Sequence, residues 1–370
     1  MPLTQPPPPV SRLCYLAGGL TAINNEGLRV ALSAGRNSPI LAEFPISRYA
    51  LLFAQLASLK LRVIGCQFFQ DMDEVAGIRP AEFRALADRE GWVVNEARQL
   101  WRQVATNAMQ EDRMDIAENA ARIGFELEAV EYRLLELCQS YETQLRALAI
   151  KHVLEEYKRF DDLNSGRVIH AIHALFYEVA VLRDYIAEFV SRFIFQMTKA
   201  NGEPITAMSE LSSMLKRASS DDPLVREIQR ITARETRGWL AELSAYRNLF
   251  THVAPIEMFT TRSFAVQEFL SVEGAGRLPV LYHPLPPNIL EGLHSRKKGF
   301  PFTTFESWAK ASACHMPKRS GQPDALEYLH AAANNMGQFA KGLVARSPVA
   351  PKMLHFGPDD IIGPITVTTS

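Results

Sequence analysis

Between residues 112 and 160 apolar side chains recur at steps of three and four: Ile116, Ala120, Ile123, Leu127, Val130, Leu134, Leu137, Tyr141, Leu145 and Leu148. A stripe of that length belongs to one amphipathic helix, or to two bent near Gly124, and the chain must bury it against other elements. Asp161-Asp162-Leu163-Asn164-Ser165-Gly166 supplies the turn that ends it. The next segment, 168–197, predicts a helix more apolar still. Ile172, Phe176, Val179, Leu182, Ile186, Phe189 and Phe193 line one side, and Ile169, Leu175 and Val190 widen it, as in a central helix packed on several sides. Arg183, Asp184, Glu188 and Arg192 interrupt the run, which argues against a membrane span.

Around these two helices the same period predicts others. From Ser47, Leu51, Leu52, Leu56, Leu59 and Val63 share a helical face. A second helix is expected after Arg79-Pro80, carrying Phe83, Leu86, Trp92, Val94, Leu100 and Trp101 inward. Asp221-Asp222-Pro223 is a helix start, an aspartate cap with proline behind it. The helix it opens is expected to run to about residue 252, with Leu224, Ile228, Ile231, Trp239, Leu243, Tyr246 and Phe250 inward and Pro255 as its stop. A last helix follows Pro323 over 324–344. Residues 11–43 hold Gly18-Gly19, Asn24-Asn25 and Gly35 and read as turns with room for short strands. Segments 264–272 and 278–282, separated by Glu273-Gly274-Ala275-Gly276-Arg277, read as a small hairpin. The fold class expected is mainly α. It comprises a proline-rich lead (1–10), an N-terminal helical extension (11–110), a helical domain (112–346) with an irregular or β-hairpin insert (256–322), and an irregular tail (347–370).

Charge narrows the function. A formal net charge of −1 over 370 residues argues against a protein that coats nucleic acid by charge alone. The portion 271–370 does carry an excess of basic residues, so Arg296, Lys297 and Lys298, with Lys318-Arg319, are candidate phosphate contacts; a solvated loop face explains each cluster equally well. Cys14, Cys66, Cys138 and Cys314 form no CxxC pair, which disfavours a disulfide framework and a zinc ribbon and fits a reducing cytoplasm. Met1–Pro9 lacks the basic start and apolar run of a signal peptide.

One short string carries chemistry. Arg247-Asn248 and, five positions after the arginine, His252 fall at the end of the helix opened by Pro223. Cleaving RNA without metal uses the neighbouring 2′-hydroxyl as nucleophile. It needs a group that moves protons near neutral pH, which histidine provides, and a cation for the phosphate, which arginine's planar fork provides. The asparagine can orient either group. Positions five apart point roughly 140° away from each other on a straight helix. The two would meet if the helix turned near Thr251, or across a two-fold axis. The spacing alone is weakly specific: Arg146…His152 and Arg167…His173 come within one residue of it, though neither has a polar residue after the arginine.

The string Ser244-Ala245-Tyr246-Arg247-Asn248-Leu249-Phe250-Thr251-His252 resembles the signature of HEPN domains: an arginine, a polar residue, three variable residues and a histidine. The long apolar helix upstream resembles them more generally, and the resemblance spans 112–346. It implies an up-and-down helical bundle that dimerises and a metal-independent ribonuclease site at the dimer interface. It implies a setting in toxin or antiviral defence biology, with RNA and a homodimer partner, and a regulatory protein besides. Some such domains have lost activity and only bind, so a non-catalytic adaptor is the alternative. Carried over, Arg247 would contact phosphate, Asn248 would orient and His252 would transfer protons, with no metal and no cofactor. Glu178 or Asp184 on the preceding helix is a candidate buttress for Arg247, against the plainer reading of a solvated ion pair.

Two further sets of residues bear on function. His170 and His173 have metal-ligand spacing on one helical face, but no further ligand lies near in sequence, which favours packing. Phe264, Phe269, Tyr282, Phe300, Phe302, Phe305 and Trp308 lie among basic residues, as base-stacking side chains do, and as core aromatics also do.

Overall fold

The computed structural model describes residues 11–24, 28–35, 38–87, 91–151, 154–216, 221–252, 264–285, 289, 304, 306 and 322–352. The first part of the chain is not the expected helical extension. Six strands form an antiparallel sheet in the order β4-β3-β2-β1-β5-β6: β1 (Ser11–Leu16), β2 (Thr21–Asn24), β3 (Arg29–Ser33), β4 (Ile40–Pro45), β5 (Val63–Phe69) and β6 (Glu82–Ala85). The protein is therefore mixed α and β, and the mainly helical class is wrong. Two short helices, α1 (Leu52–Ser58) and α2 (Met72–Ala76), connect the strands.

The error has a physical cause. A half-buried strand alternates apolar and polar residues, but the central strand β1 is covered on both faces: Leu13, Cys14, Tyr15 and Leu16 are all buried. Leu13, Tyr15 and Ile64 face a core shared with the long helices, whereas Cys14, Leu16 and Cys66 face a second core with Leu52, Leu56 and Leu148. Val63, expected on a helix face, belongs to β5, and Phe83 to β6.

The helical layer packs on this sheet. Helix α3 (Val93–Gln110) and helix α4 (Met114–Lys151) run antiparallel, with the side chain of Arg102 on α3 reaching Glu128 on α4. Helix α4 is one uninterrupted element, about 57 Å at 1.5 Å per residue; Gly124 lies within it. Helix α5 (Ser165–Phe189), which ends in a π-helical turn at Val190–Ile194, packs on α4. Then follow α6 (Met208–Leu215), α7 (Pro223–Thr232) and α8 (Trp239–His252). Asp222 caps α7, accepting from Leu224 N at 2.8 Å, with Pro223 behind it as the sequence indicates.

The expected single helix from 223 to 252 is instead two, α7 and α8. The break spans Ala233 to Gly238: Ala233 leaves the helical region with ψ 122°, and at Gly238 an added Cβ would lie 2.4 Å from the carbonyl oxygen of Ile231. No side chain fits that approach, so the position takes glycine.

A strand of two residues, β7 (Arg159–Phe160), joins the hairpin β8 (Ala265–Val272) and β9 (Gly276–Tyr282) in a second antiparallel sheet. The last described helix, α9 (Ala325–Val344), threads back against α3. Trp101 Nε1 donates to Ala340 O at 3.0 Å, and Gly337 lets the backbone of Val94 approach to within 3.0 Å of where a Cβ would stand. No helix among the described residues is long and apolar enough to cross a membrane.

Candidate functional site

Helix α8 presents Leu240, Leu243, Tyr246, Leu249 and Phe250 to the core. Tyr246 and Phe250 join Phe176 of α5 and Tyr328 of α9 in an aromatic cluster, with ring centroids 5.0–6.1 Å apart. His173 of α5 stacks on Phe250 at 5.1 Å, and burial, with His170 adding to it, pushes its imidazole below the usual range. A neutral, stacked imidazole is a packing group. Among the described residues no cluster of three or more His, Cys, Asp or Glu could hold a metal ion.

Arg247 and Asn248 lie on the half-buried flank of α8, beside that cluster. Arg247 Nη1 donates to Asn248 Oδ1 at 3.2 Å, so the asparagine orients the guanidinium. Among the described residues its buried Nε has no acceptor and no carboxylate pairs with Arg247. A guanidinium with unspent donors is the state in which an arginine can take a phosphate. The two acidic residues considered as buttresses serve elsewhere. Glu178 pairs with Arg133 at 3.0 Å. Asp184 holds its neighbour Arg183 by two hydrogen bonds, of 2.9 and 2.8 Å, and accepts from Met208 N. Arg183 in turn donates to Ser244 Oγ at 2.8 Å, tying α5 to α8 one turn before Arg247.

His252 is the last residue of α8, and its side chain lies outside the described residues. The helix remains regular through Thr251, whose hydroxyl donates to Arg247 O at 2.8 Å. Within one chain, positions 247 and 252 thus stay about 140° apart around the axis. Arg296, Lys297 and Lys298 lie outside the described residues, as do Phe300, Phe302, Phe305 and Trp308. The remaining aromatics are used by the fold: Arg159 sits over Phe264 and Arg277 over Phe269, each 4.4 Å from the ring centroid, and Tyr282 donates to Gln322 O.

A second polar centre escaped the sequence reading. Asp324, the cap of α9, accepts from Tyr141 Oη at 3.0 Å, His283 N at 2.7 Å, Leu326 N at 3.1 Å and Glu327 N at 3.2 Å. Behind it, His283 Nε2 meets Gln144 Oε1 at 2.7 Å. Burial pushes the Asp324 carboxyl up to about 7 against the pull of its donors, and pushes His283 down to about 3. The one local signal was the Asp after Pro323 at a helix start; its partners lie more than forty and more than one hundred and eighty positions away.

No family model, no curated protein and no solved structure matches the chain.

Proposed function

We propose that the chain is a metal-independent endoribonuclease of the HEPN class. The observation that carries the reading is Arg247, oriented by Asn248, free of any carboxylate partner among the described residues, five positions before a helix-terminal histidine. In the reaction the 2′-hydroxyl oxygen attacks the adjacent phosphorus as its proton passes to a base. The bond from phosphorus to the 5′-oxygen breaks, and that oxygen takes up a proton. The products are a 2′,3′-cyclic phosphate and a 5′-hydroxyl end. Arg247 steadies the charge on the non-bridging oxygens and His252 moves the protons. Because α8 is regular between them, Arg247 of one chain works with His252 across a two-fold axis in a homodimer. Toxin or antiviral defence biology, with a partner protein that restrains the site, suits such an activity.

Purified protein incubated with single-stranded RNA in EDTA tests the reading. Cleavage by wild type that His252→Ala abolishes supports it; equal cleavage by both rejects it.

The regular course of α8 also favours a second reading, a non-catalytic adaptor in which Arg247 binds RNA or a partner and His252 does no chemistry. It predicts that Arg247→Ala weakens binding with no cleavage to lose. RNA cutting that depends on His252 excludes it.

A further inference from the structure

Where the six-stranded sheet, the hairpin and α9 converge, two adjoining cavities of about 330 and 220 Å³ share Arg62, Tyr282, Asp324 and Glu327 in their walls. Junctions of this kind are where small-molecule sites form. The walls carry charges of both signs. Lys60 and Arg62 stand against Glu268, Glu327 and Asp324, whose carboxyl burial raises to about 7, and Arg62 reaches Glu327 at 2.9 Å. Glu268 is a buried carboxylate in the hairpin. The smaller cavity is also lined by Leu61, Leu270, Val280 and Leu281.

Lys60 is the unexpected residue. It follows the end of α1, where Lys60 N donates to Ala57 O and Leu61 N to Leu56 O, both at 2.9 Å. That is the helix-ending motif that glycine normally occupies, because the residue must be left-handed. Lys60 has φ +59°. A lysine here costs the fold stability that glycine would not, and Lys60 lines the smaller cavity.

We infer that this cleft binds a small zwitterion of the α-amino-acid class with an apolar side chain. Its carboxylate goes to Lys60 and Arg62, its ammonium to Glu268 and Glu327, and its side chain to the wall of Leu61, Leu270, Val280 and Leu281. A ligand of one charge sign gains from one pair and is repelled by the other, which is why both signs are required. The site is independent of the ribonuclease reading, although Tyr328 in its wall lies edge-on to Tyr246, 5.0 Å away on the motif helix.

The test is thermal denaturation and calorimetric titration of the full chain with the standard L-amino acids at millimolar concentration. Leucine serves as lead probe, with 4-methylpentanoate and isopentylamine as its single-charge analogues, and inorganic phosphate and AMP as controls. The expected result is a raised Tm with an apolar amino acid and none with either analogue. Glu268→Gln should weaken binding roughly tenfold or more. Lys60→Gly should do the same while leaving the unliganded Tm unchanged or higher, so lost binding cannot be put down to lost folding. The inference is overturned if no amino acid binds, if Lys60→Gly binds as wild type does, or if phosphate or AMP takes the cleft instead.

Discussion

Glu131, midway along α4, accepts a hydrogen bond from the backbone N–H of Ala85 on β6 at 3.1 Å, fastening the long helix to the edge strand of the sheet. The carboxyl is almost fully buried, with Arg98 3.7 Å away, and burial pushes it up to about 7 from an ordinary value of 4.5. The folded chain therefore holds this proton more tightly than the unfolded chain does. The stability it contributes is full below about pH 4.5 and is lost as pH rises through about 7, up to about 3 kcal/mol. Glu131→Gln keeps an acceptor for Ala85 and removes the charge. Denaturant unfolding of the two proteins should show the variant gaining on wild type between about pH 5 and pH 8; a constant difference across that range would refute the assignment. Asp324 and Glu126, raised in the same direction, and His283, moved the opposite way, are present in both proteins and cancel in the comparison.

Arg247→Ala and His252→Ala should each lower the rate of RNA cleavage in EDTA by roughly 100-fold or more, the scale of lost proton transfer or lost charge stabilisation. Arg247→Lys keeps a cation without the planar fork and should recover only part of the activity. Mixing the two inactive alanine variants should restore some cleavage if each site draws its arginine and histidine from different chains. Single-turnover assays on the separate and mixed proteins read this directly; no restoration would place both groups within one chain.

Gly238→Ala forces a Cβ against the carbonyl of Ile231, and backbone cannot swing aside as a side chain can. The loss should be about 1–3 kcal/mol, read as a lower Tm with the secondary structure seen by circular dichroism retained. Because this turn orients α8, RNA cleavage should fall with it. A Tm equal to that of wild type would show that the turn relaxes.

Tyr141→Phe deletes the hydroxyl that donates to Asp324 and accepts from Leu326 N at 3.2 Å. With all three groups buried, the loss should be about 1–3 kcal/mol in denaturant unfolding. A neutral result would mean that the remaining donors to Asp324 suffice.

Much of the helical layer was legible because a helix writes its pattern locally. The stripe from Ile116 to Leu148 became α4, the apolar run after Asn164 became α5, and Asp222-Pro223 and Asp324 stand at the helix starts they mark. The hairpin of β8 and β9 was legible for the same reason, its turn lying between its two strands. The motif at Arg247 was visible as a string, with Asn248 beside the arginine by adjacency alone. That no carboxylate among the described residues pairs with it was not visible, because Glu178 and Asp184 are drawn to Arg133 and Arg183 by packing that sequence spacing does not encode.

What the sequence determined by itself was the set of local elements whose period or capping repeats within a turn or two. The tertiary structure alone decided the six-stranded sheet. Its register sets Cys14 opposite Cys66, fifty-two positions apart, and its central strand β1 loses the alternating signature because both its faces are buried. It alone assembled the cleft from Lys60, Glu268 and Glu327, residues that share nothing until three distant segments fold against one another. Helix formation is settled by neighbours along the chain. Strand pairing and charge pairing are settled by neighbours in space, and only the folded chain supplies those.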